Sequence, residues 1–98
     1  MEPTERIALQ EQRLDRAQAT LSALEQAWDN YLAVQDDFAQ LNAYLGSPEW
    51  LADRKADTKG KLPPKLRRGV LSEDAIWNLL QSRKELLKDI QASLANMD

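Results

Sequence analysis

The chain has 98 residues, of which 43% are hydrophobic and 30% are charged, enough apolar material for one small domain. It contains no cysteine and no histidine. This composition excludes disulfide bonds, thiolate metal sites and a cysteine nucleophile, and it removes the commonest general base. The formal net charge of −3 argues against a chain that binds nucleic acid over its whole surface.

The first segment, residues 3–45, has no glycine and no proline after Pro3, a residue that suits the first turn of a helix. Its apolar residues recur every seven positions in two rows offset by three, which is the a/d pattern of an amphipathic helix. The rows are Ile7, Leu14, Leu21 and Trp28, and Ala17, Leu24, Tyr31, Phe38 and Leu45. We predict one long helix over residues 3–45. A break near Asp36 is the alternative, because Asp36 and Asp37 could cap a new helix.

The second segment opens with Gly46, a typical helix C-cap, followed by the Ser-Pro-Glu signature of a helix start at residues 47–49. We predict a short helix over residues 48–56 that buries Trp50 and Leu51. After this helix, Gly60, Pro63 and Pro64 exclude a regular helix. Residues 57–71 are therefore predicted to form an ordered basic loop.

The third segment, residues 72–96, is predicted to be a second amphipathic helix with Ser72 as its N-cap. Glu73 and Asp74 follow the cap, where negative charge complements the helix dipole. The predicted fold class is all-α. The long N-terminal helix runs antiparallel to the C-terminal helix in a helical hairpin or three-helix bundle, and residues 1–98 form a single domain.

The two long helices differ in length. Helix 3–45 would span about 63 Å and helix 72–96 about 36 Å, which leaves about 27 Å of the first helix without a partner in a hairpin. Exposing that apolar stripe costs about 25 cal/mol per Å². Three arrangements avoid this exposure. The first helix breaks and folds back, the short helix and the loop cover its unpaired part, or a second protein chain covers that part.

Charge is concentrated in residues 54–68, which hold seven lysines and arginines and a single acid, Asp57. This segment is either a solvated loop or a binding site for an acidic protein or for phosphate and nucleic acid. The candidate basic patch consists of Lys59, Lys61 and Lys65. No glycine-rich phosphate loop accompanies it.

The junction from this loop to the last helix holds a candidate cluster of binding or structural residues. We expect Arg67 and Arg68 to pair with Asp74 or Asp53, and Gly69 to adopt a positive φ or to allow a close backbone approach. The junction is either a locked turn or an anion or peptide site at a helix N-terminus. The full cluster is Trp50, Asp53, Arg67, Arg68, Gly69, Ser72, Glu73 and Asp74.

Residues 60–74 read Gly-Lys-Leu-Pro-Pro-Lys-Leu-Arg-Arg-Gly-Val-Leu-Ser-Glu-Asp, and residues 44–53 read Tyr-Leu-Gly-Ser-Pro-Glu-Trp-Leu-Ala-Asp. With these two runs the chain resembles, over nearly its whole length, a family of short bacterial proteins that is a domain of unknown function. The resemblance implies a bacterial, all-helical, single-domain protein and no established activity. It also implies that the junction residues with Trp50 and Asp53 form one spatial cluster.

The function that these patterns favour is a non-enzymatic protein–protein interaction module, or a small regulatory or inhibitor protein, that acts through helical surfaces. The expected partner is another protein or a second copy of the chain, with a homodimer through the first helix. Nucleic-acid or phosphate binding through residues 54–68 is the alternative. We expect no catalytic residue, cofactor or metal. We also expect a cytoplasmic location, because no signal peptide or apolar membrane span is seen.

Overall fold

The computed structural model describes residues 1–97 and holds, in that range, four α-helices, one 3₁₀ turn and no β-strand. The helices are α1 (Pro3–Ala33), α2 (Gln35–Tyr44), α3 (Pro48–Thr58) and α4 (Ala75–Ala95), and the 3₁₀ turn covers Gly69–Leu71. The prediction of an all-α protein is confirmed. None of the described helices is long and apolar enough to cross a membrane.

The predicted helix over residues 3–45 is interrupted at Val34, so that α1 and α2 are separate helices. The backbone N–H of Val34 donates to the Tyr31 carbonyl at 3.2 Å, a turn tighter than the α-helix. The side-chain amide of Gln35 donates to the same carbonyl at 3.1 Å. Asp36 and Asp37 then lie in the first turn of α2, where acids complement the helix dipole.

The chain divides into two units, Met1–Gln35 and the residues from Asp36 onward. The first unit is essentially α1, in which no residue is buried. Among the described residues, the buried apolar side chains all belong to the second unit, and they are Trp50, Leu71 and Ile76. The expectation of a single domain over residues 1–98 stays a prediction.

The core of the second unit is built around the 3₁₀ turn, which both α3 and α4 contact. Trp50 comes from α3, Leu71 from the turn and Ile76 from α4. The expected burial of Leu51 is wrong, because its side chain lies on the solvent side of α3 and is 57% exposed. The indole Nε1 of Trp50 donates a hydrogen bond to the Val70 carbonyl at 3.0 Å. With so few buried side chains, the unit depends on such specific polar contacts to fix the path of its loop.

Both ends of α3 follow the capping rules. Ser47 caps α3 as predicted, because its Oγ accepts the Trp50 N–H at 3.1 Å. α3 extends two residues beyond the predicted end at position 56. There Gly60, with φ of +68°, closes a Schellman motif in which the Lys61 N–H donates to the Ala56 carbonyl at 3.0 Å. Gly46, after α2, is the other described residue with a positive φ.

The expectation for Gly69 is wrong. Its φ is not positive, and a β-carbon there would meet no atom within 4 Å. The reason is that Gly69 begins the 3₁₀ turn, whose helical dihedral angles suit any residue.

Two alanine substitutions test the difference between these glycines. Gly60→Ala should lower the free energy of unfolding by about 1–2 kcal/mol, because alanine is strained in the left-handed region. Gly69→Ala should raise it by about 0.4–1 kcal/mol through reduced entropy of the unfolded chain. Urea denaturation followed by circular dichroism measures both values, and equal effects would contradict the assignment.

A contact between α2 and α4 explains why an arginine interrupts the apolar row of the C-terminal helix. The guanidinium carbon of Arg83 lies 4.7 Å from the ring centroid of Phe38. A cation placed over an aromatic face is attracted by the ring quadrupole. Arg83 therefore replaces an aliphatic residue in the contact between these two helices.

Candidate functional site

Arg68 is the residue that holds the basic loop together. Its guanidinium forms an ion pair with Asp57 at the end of α3. Nη2 also donates to the Pro63 carbonyl at 2.6 Å, and Nε donates to the Leu66 carbonyl at 3.3 Å. One half-buried side chain thus donates to two loop carbonyls, of which that of Pro63 also accepts the Leu66 N–H at 3.1 Å.

The pairing expected for Arg68 is therefore wrong, since its partner is Asp57 and neither Asp53 nor Asp74. Asp53 instead accepts a hydrogen bond from Tyr44. Arg67 is exposed and forms no ion pair with any described residue. Two neighbouring arginines consequently have different roles, one inside the loop and one at its surface.

A second polar bridge runs from α3 to the start of α4 through Arg54. Its guanidinium carbon lies 4.8 Å from the ring centroid of Trp50, and its Nη1 donates to Glu73 Oε1 at 3.1 Å. Because Trp50 is buried and Glu73 is exposed, Arg54 connects the core to the surface at the junction. Of the predicted cluster, Trp50 and Glu73 are brought together in this way.

Ser72 and Asp74 lie at the entry to α4. Ser72 Oγ accepts the Ala75 N–H at 3.1 Å and donates to the Gly69 carbonyl at 2.9 Å. The predicted helix start at Ser72 is wrong, because α4 begins at Ala75 and its N-cap residue is Asp74. The Ser72 hydroxyl instead ties the first residue of α4 to the 3₁₀ turn. Asp74 makes no side-chain cap. Its carbonyl begins the helical ladder by accepting the Asn78 N–H at 2.7 Å.

Tyr44 and Asp53 form a short hydrogen bond between α2 and α3. The Tyr44 hydroxyl donates to Asp53 Oδ2 at 2.6 Å. This hydrogen bond, together with partial desolvation and the negative charge of the carboxylate, raises the pKa of Tyr44 to about 12. The phenol is thus held in its neutral, donating form.

Stability should respond to this pKa at alkaline pH. The unfolded phenol ionises near pH 10.0 and the folded one near pH 12. The contribution of the hydrogen bond is therefore complete below pH 10 and is lost as the pH rises toward 12. We expect the urea midpoint of the protein to fall over this interval more steeply than that of Tyr44→Phe. Identical pH profiles for the two proteins would contradict this expectation.

A polar depression of about 280 Å³ lies between α3 and the junction, lined by Arg54, Asp57, Thr58, Arg68, Leu71 and Ser72. Both of its arginines are already paired with carboxylates. The depression therefore carries little net positive charge for an anion. No group of three or more carboxylates in residues 1–97 is arranged to hold a metal ion.

The basic patch lies outside this depression. Lys59, Lys61 and Lys65 are exposed, as are Lys55 and Arg67. Within residues 1–97, none of these five cations forms an ion pair. Two of the seven cations counted in the sequence, Arg54 and Arg68, are thus structural, and five remain available at the surface.

α1 carries an extended apolar surface. The large side chains of its two rows at Ile7, Leu14, Leu21, Leu24 and Trp28 are between 49% and 66% exposed. The Trp28 and Tyr31 rings stack with centroids 5.6 Å apart at the C-terminal end of this stripe. A depression of about 380 Å³ lies at its middle, lined by Arg13, Arg16, Ala17, Thr20, Leu21 and Leu24.

Residues 7–92 match the model of a family described as a domain of unknown function, DUF4298. The chain belongs to the DUF4298 family. The match covers α2, α3 and the 3₁₀ turn completely, together with most of α1 and α4. No curated protein and no solved structure matches the DUF4298 chain.

The residues that sequence reasoning missed are Tyr44, Arg54 and Asp57. Arg54 was counted only as one of the loop cations, and Tyr44 only as part of a family motif. Asp57 carried a usable signal, since a single acid among seven cations has many possible ion-pair partners. The expectation that all eight cluster residues form one spatial cluster, either a binding site or a fold determinant, stays a prediction.

Proposed function

We propose that this DUF4298 protein is a non-enzymatic interaction module that binds a protein helix through the apolar face of α1. The observation that carries the proposal is the exposure of the large side chains of α1, including Leu14, Leu21 and Leu24. A contiguous exposed apolar stripe marks an interaction surface in a folded protein. The absence of cysteine and histidine from the chain supports a role without catalysis.

Burial energies support the same proposal. Covering a large apolar side chain completely stabilises a protein by about 1.5–3 kcal/mol, so covering a half-exposed one contributes about 1 kcal/mol. Several such side chains on one helix contribute enough to offset part of the entropy lost on association. A partner helix with its own apolar stripe fits this surface because helices pack side chain into groove.

Capture from a cell lysate tests the module. The tagged protein is compared with Leu21→Glu, which places a charge in the middle of the apolar face, and with Ala19→Glu, which places the same charge outside the two apolar rows. We expect association, with itself or with another protein, that Leu21→Glu abolishes and Ala19→Glu leaves intact. A monodisperse monomer that captures nothing sensitive to Leu21→Glu would contradict the proposal.

The antiparallel hairpin of the N-terminal and C-terminal helices is the alternative to this proposal. α4 also exposes apolar side chains, among them Leu86, Ile90 and Leu94. If α4 of the same chain covers α1, the protein is monomeric and Leu21→Glu lowers its stability without changing its binding. Sedimentation and denaturation together separate this version from association with a second chain.

The basic patch supports a second candidate function, which is binding of phosphate or nucleic acid. The five exposed cations without ion pairs are the specific observation, since such groups can neutralise phosphates and release counterions. The test variant changes Lys61, Lys65 and Arg67 to glutamine and keeps Arg68, whose role is structural. Binding of single-stranded oligonucleotides that falls steeply with salt and is lost in this variant would support it. If the variant binds the oligonucleotides as well as the unmodified protein does, the patch is excluded as their binding site.

A further inference from the structure

The charged residues of α1 are sorted by face. On a heptad repeat with Ile7, Leu14 and Leu21 at position a, every arginine of the helix lies on one flank of the apolar stripe, at positions g and c. Four of its five acids lie on the other flank, at positions e and b, and Glu5 lies on the outer face. The arginines are Arg6, Arg13 and Arg16, and the flanking acids are Glu11, Asp15, Glu25 and Asp29.

The depression on α1 has the shape of a helix-packing site. Four of its lining residues, Ala17, Thr20, Leu21 and Leu24, have the spacing i, i+3, i+4 and i+7. Four residues in this arrangement form the hole that receives one side chain of a facing helix in a coiled coil. In a parallel pair in register, the side chain at the same level as this hole is Leu21 of the other helix.

We propose that the occupant of this face is a second copy of the chain, and that two α1 helices pair in parallel and in register. This inference rests on the proposed function and specifies the partner. A parallel pair places the arginine flank of each helix against the acidic flank of the other, so that Arg6 of one copy faces Glu11 of its mate. An antiparallel pair in full overlap instead places Glu11 of each helix beside Glu25 of the other, which is unfavourable, and leaves the arginines of the N-terminal half without an acid to face.

The apolar area is sufficient for such a pair. α1 exposes six large apolar side chains, the sixth being Leu32. Each presents about 100 Å². Two copies therefore bury about 1,200 Å² together, the lower end of the range for specific interfaces. An interface of this size is typical of a reversible dimer.

Sedimentation velocity over a range of protein concentrations tests the pairing. We expect a concentration-dependent dimer whose dissociation constant rises at least about 100-fold in Leu21→Glu, because the glutamate loses its hydration inside the interface. Ala19→Glu, with the same added charge at position f, should leave the dissociation constant within about threefold. A monomer at every concentration would overturn the proposal.

Charge exchange tests the pairing without altering the apolar face. One variant carries R6E and R13E, and a second carries E11R and D15R. Each variant alone should dissociate, because both flanks of its pair then repel, and an equal mixture should form heterodimers. Failure of the mixture to associate, while the unmodified protein is dimeric, would overturn the assignment of the flanks.

Disulfide trapping tests orientation and register, since the chain has no cysteine of its own. Gln10→Cys, at position d, should give a covalent dimer on mild oxidation. The same position in the two copies is adjacent only in a parallel pair in register. Ala19→Cys, on the outer face, should give no covalent dimer on mild oxidation. A dimer by sedimentation that Cys introduced at position 10 does not trap would overturn the parallel arrangement.

These outcomes also separate the inference from the proposed function. A monomeric protein that still captures a different protein through Leu21 contradicts the inference and supports the module. A monomer that captures nothing contradicts both. A trapped parallel dimer supports both.

Discussion

Replacing Trp50 by alanine should destabilise the protein by about 3–5 kcal/mol, the range observed when a large buried aromatic is removed. Trp50 is only 6% exposed, and it is one of the three buried apolar side chains in the second unit. Its indole also donates to the Val70 carbonyl, so the substitution leaves that carbonyl without its partner. The free energy of unfolding of a small domain is itself of this size. The second unit of Trp50→Ala is therefore expected to be largely unfolded at 25 °C.

Trp77→Ala is the matched control, because Trp77 is 55% exposed and lies on the adjacent helix α4. We expect it to change the free energy of unfolding by less than about 1 kcal/mol, as surface substitutions do. The loss of free energy of unfolding in Trp50→Phe should lie between the losses in Trp50→Ala and Trp77→Ala, since phenylalanine keeps an aromatic ring but loses the hydrogen bond. Urea denaturation followed by circular dichroism distinguishes them. Equal destabilisation by Trp50→Ala and Trp77→Ala would contradict the assigned core.

Arg68→Gln should cost about 2–3 kcal/mol, because it removes an ion pair and leaves two loop carbonyls without a charged donor. The paired side chains of Arg68 and Asp57 are 33% and 30% exposed, so the solvent screens their attraction only in part. Asp57→Asn should cost less, about 1 kcal/mol, because Arg68 keeps its bonds to the Pro63 and Leu66 carbonyls. The order of the two effects follows from the number of contacts that each change removes.

Arg67→Gln is the control for this prediction, with an expected change within about 0.5 kcal/mol. Limited digestion with trypsin gives a second measurement, since the enzyme cleaves at exposed basic residues and the loop holds Lys59, Lys61 and Lys65. Cleavage in the loop should accelerate in Arg68→Gln and remain unchanged in Arg67→Gln, because opening of the loop limits the rate. Equal acceleration in both variants would show that Arg68 does not hold the loop.

The elements that the sequence predicted correctly are those governed by neighbouring residues. The cap at Ser47 and the turn at Gly46 depend on contacts three or four positions away, and both are present. The start of α4 lies later than predicted, at Ala75 and not at Ser72. The break at Val34 was foreseen only as an alternative near Asp36. No glycine or proline marks it, and it depends on how the Tyr31 carbonyl is shared by two donors.

The candidate site was harder to predict than the helices. Three tryptophans have comparable settings in the sequence, yet only Trp50 is buried. Arg67 and Arg68 are adjacent and chemically identical, yet only Arg68 lies within reach of Asp57. The path of the loop through space decides which tryptophan is buried and which arginine forms the ion pair. The residue pattern does not specify that path.

The sequence by itself determined the all-α class, the starts of α1 and α3 and the seven-residue apolar rows of α1, because each depends on local spacing and on the intrinsic preferences of residues. Only the tertiary structure decided that Trp50, Leu71 and Ile76 form the core, and that Arg54 and Arg68 are held in ion pairs while five other cations stay exposed. These outcomes depend on contacts between residues 11 to 20 positions apart. Forming such contacts requires the whole loop to close, and a local pattern carries no information about that closure.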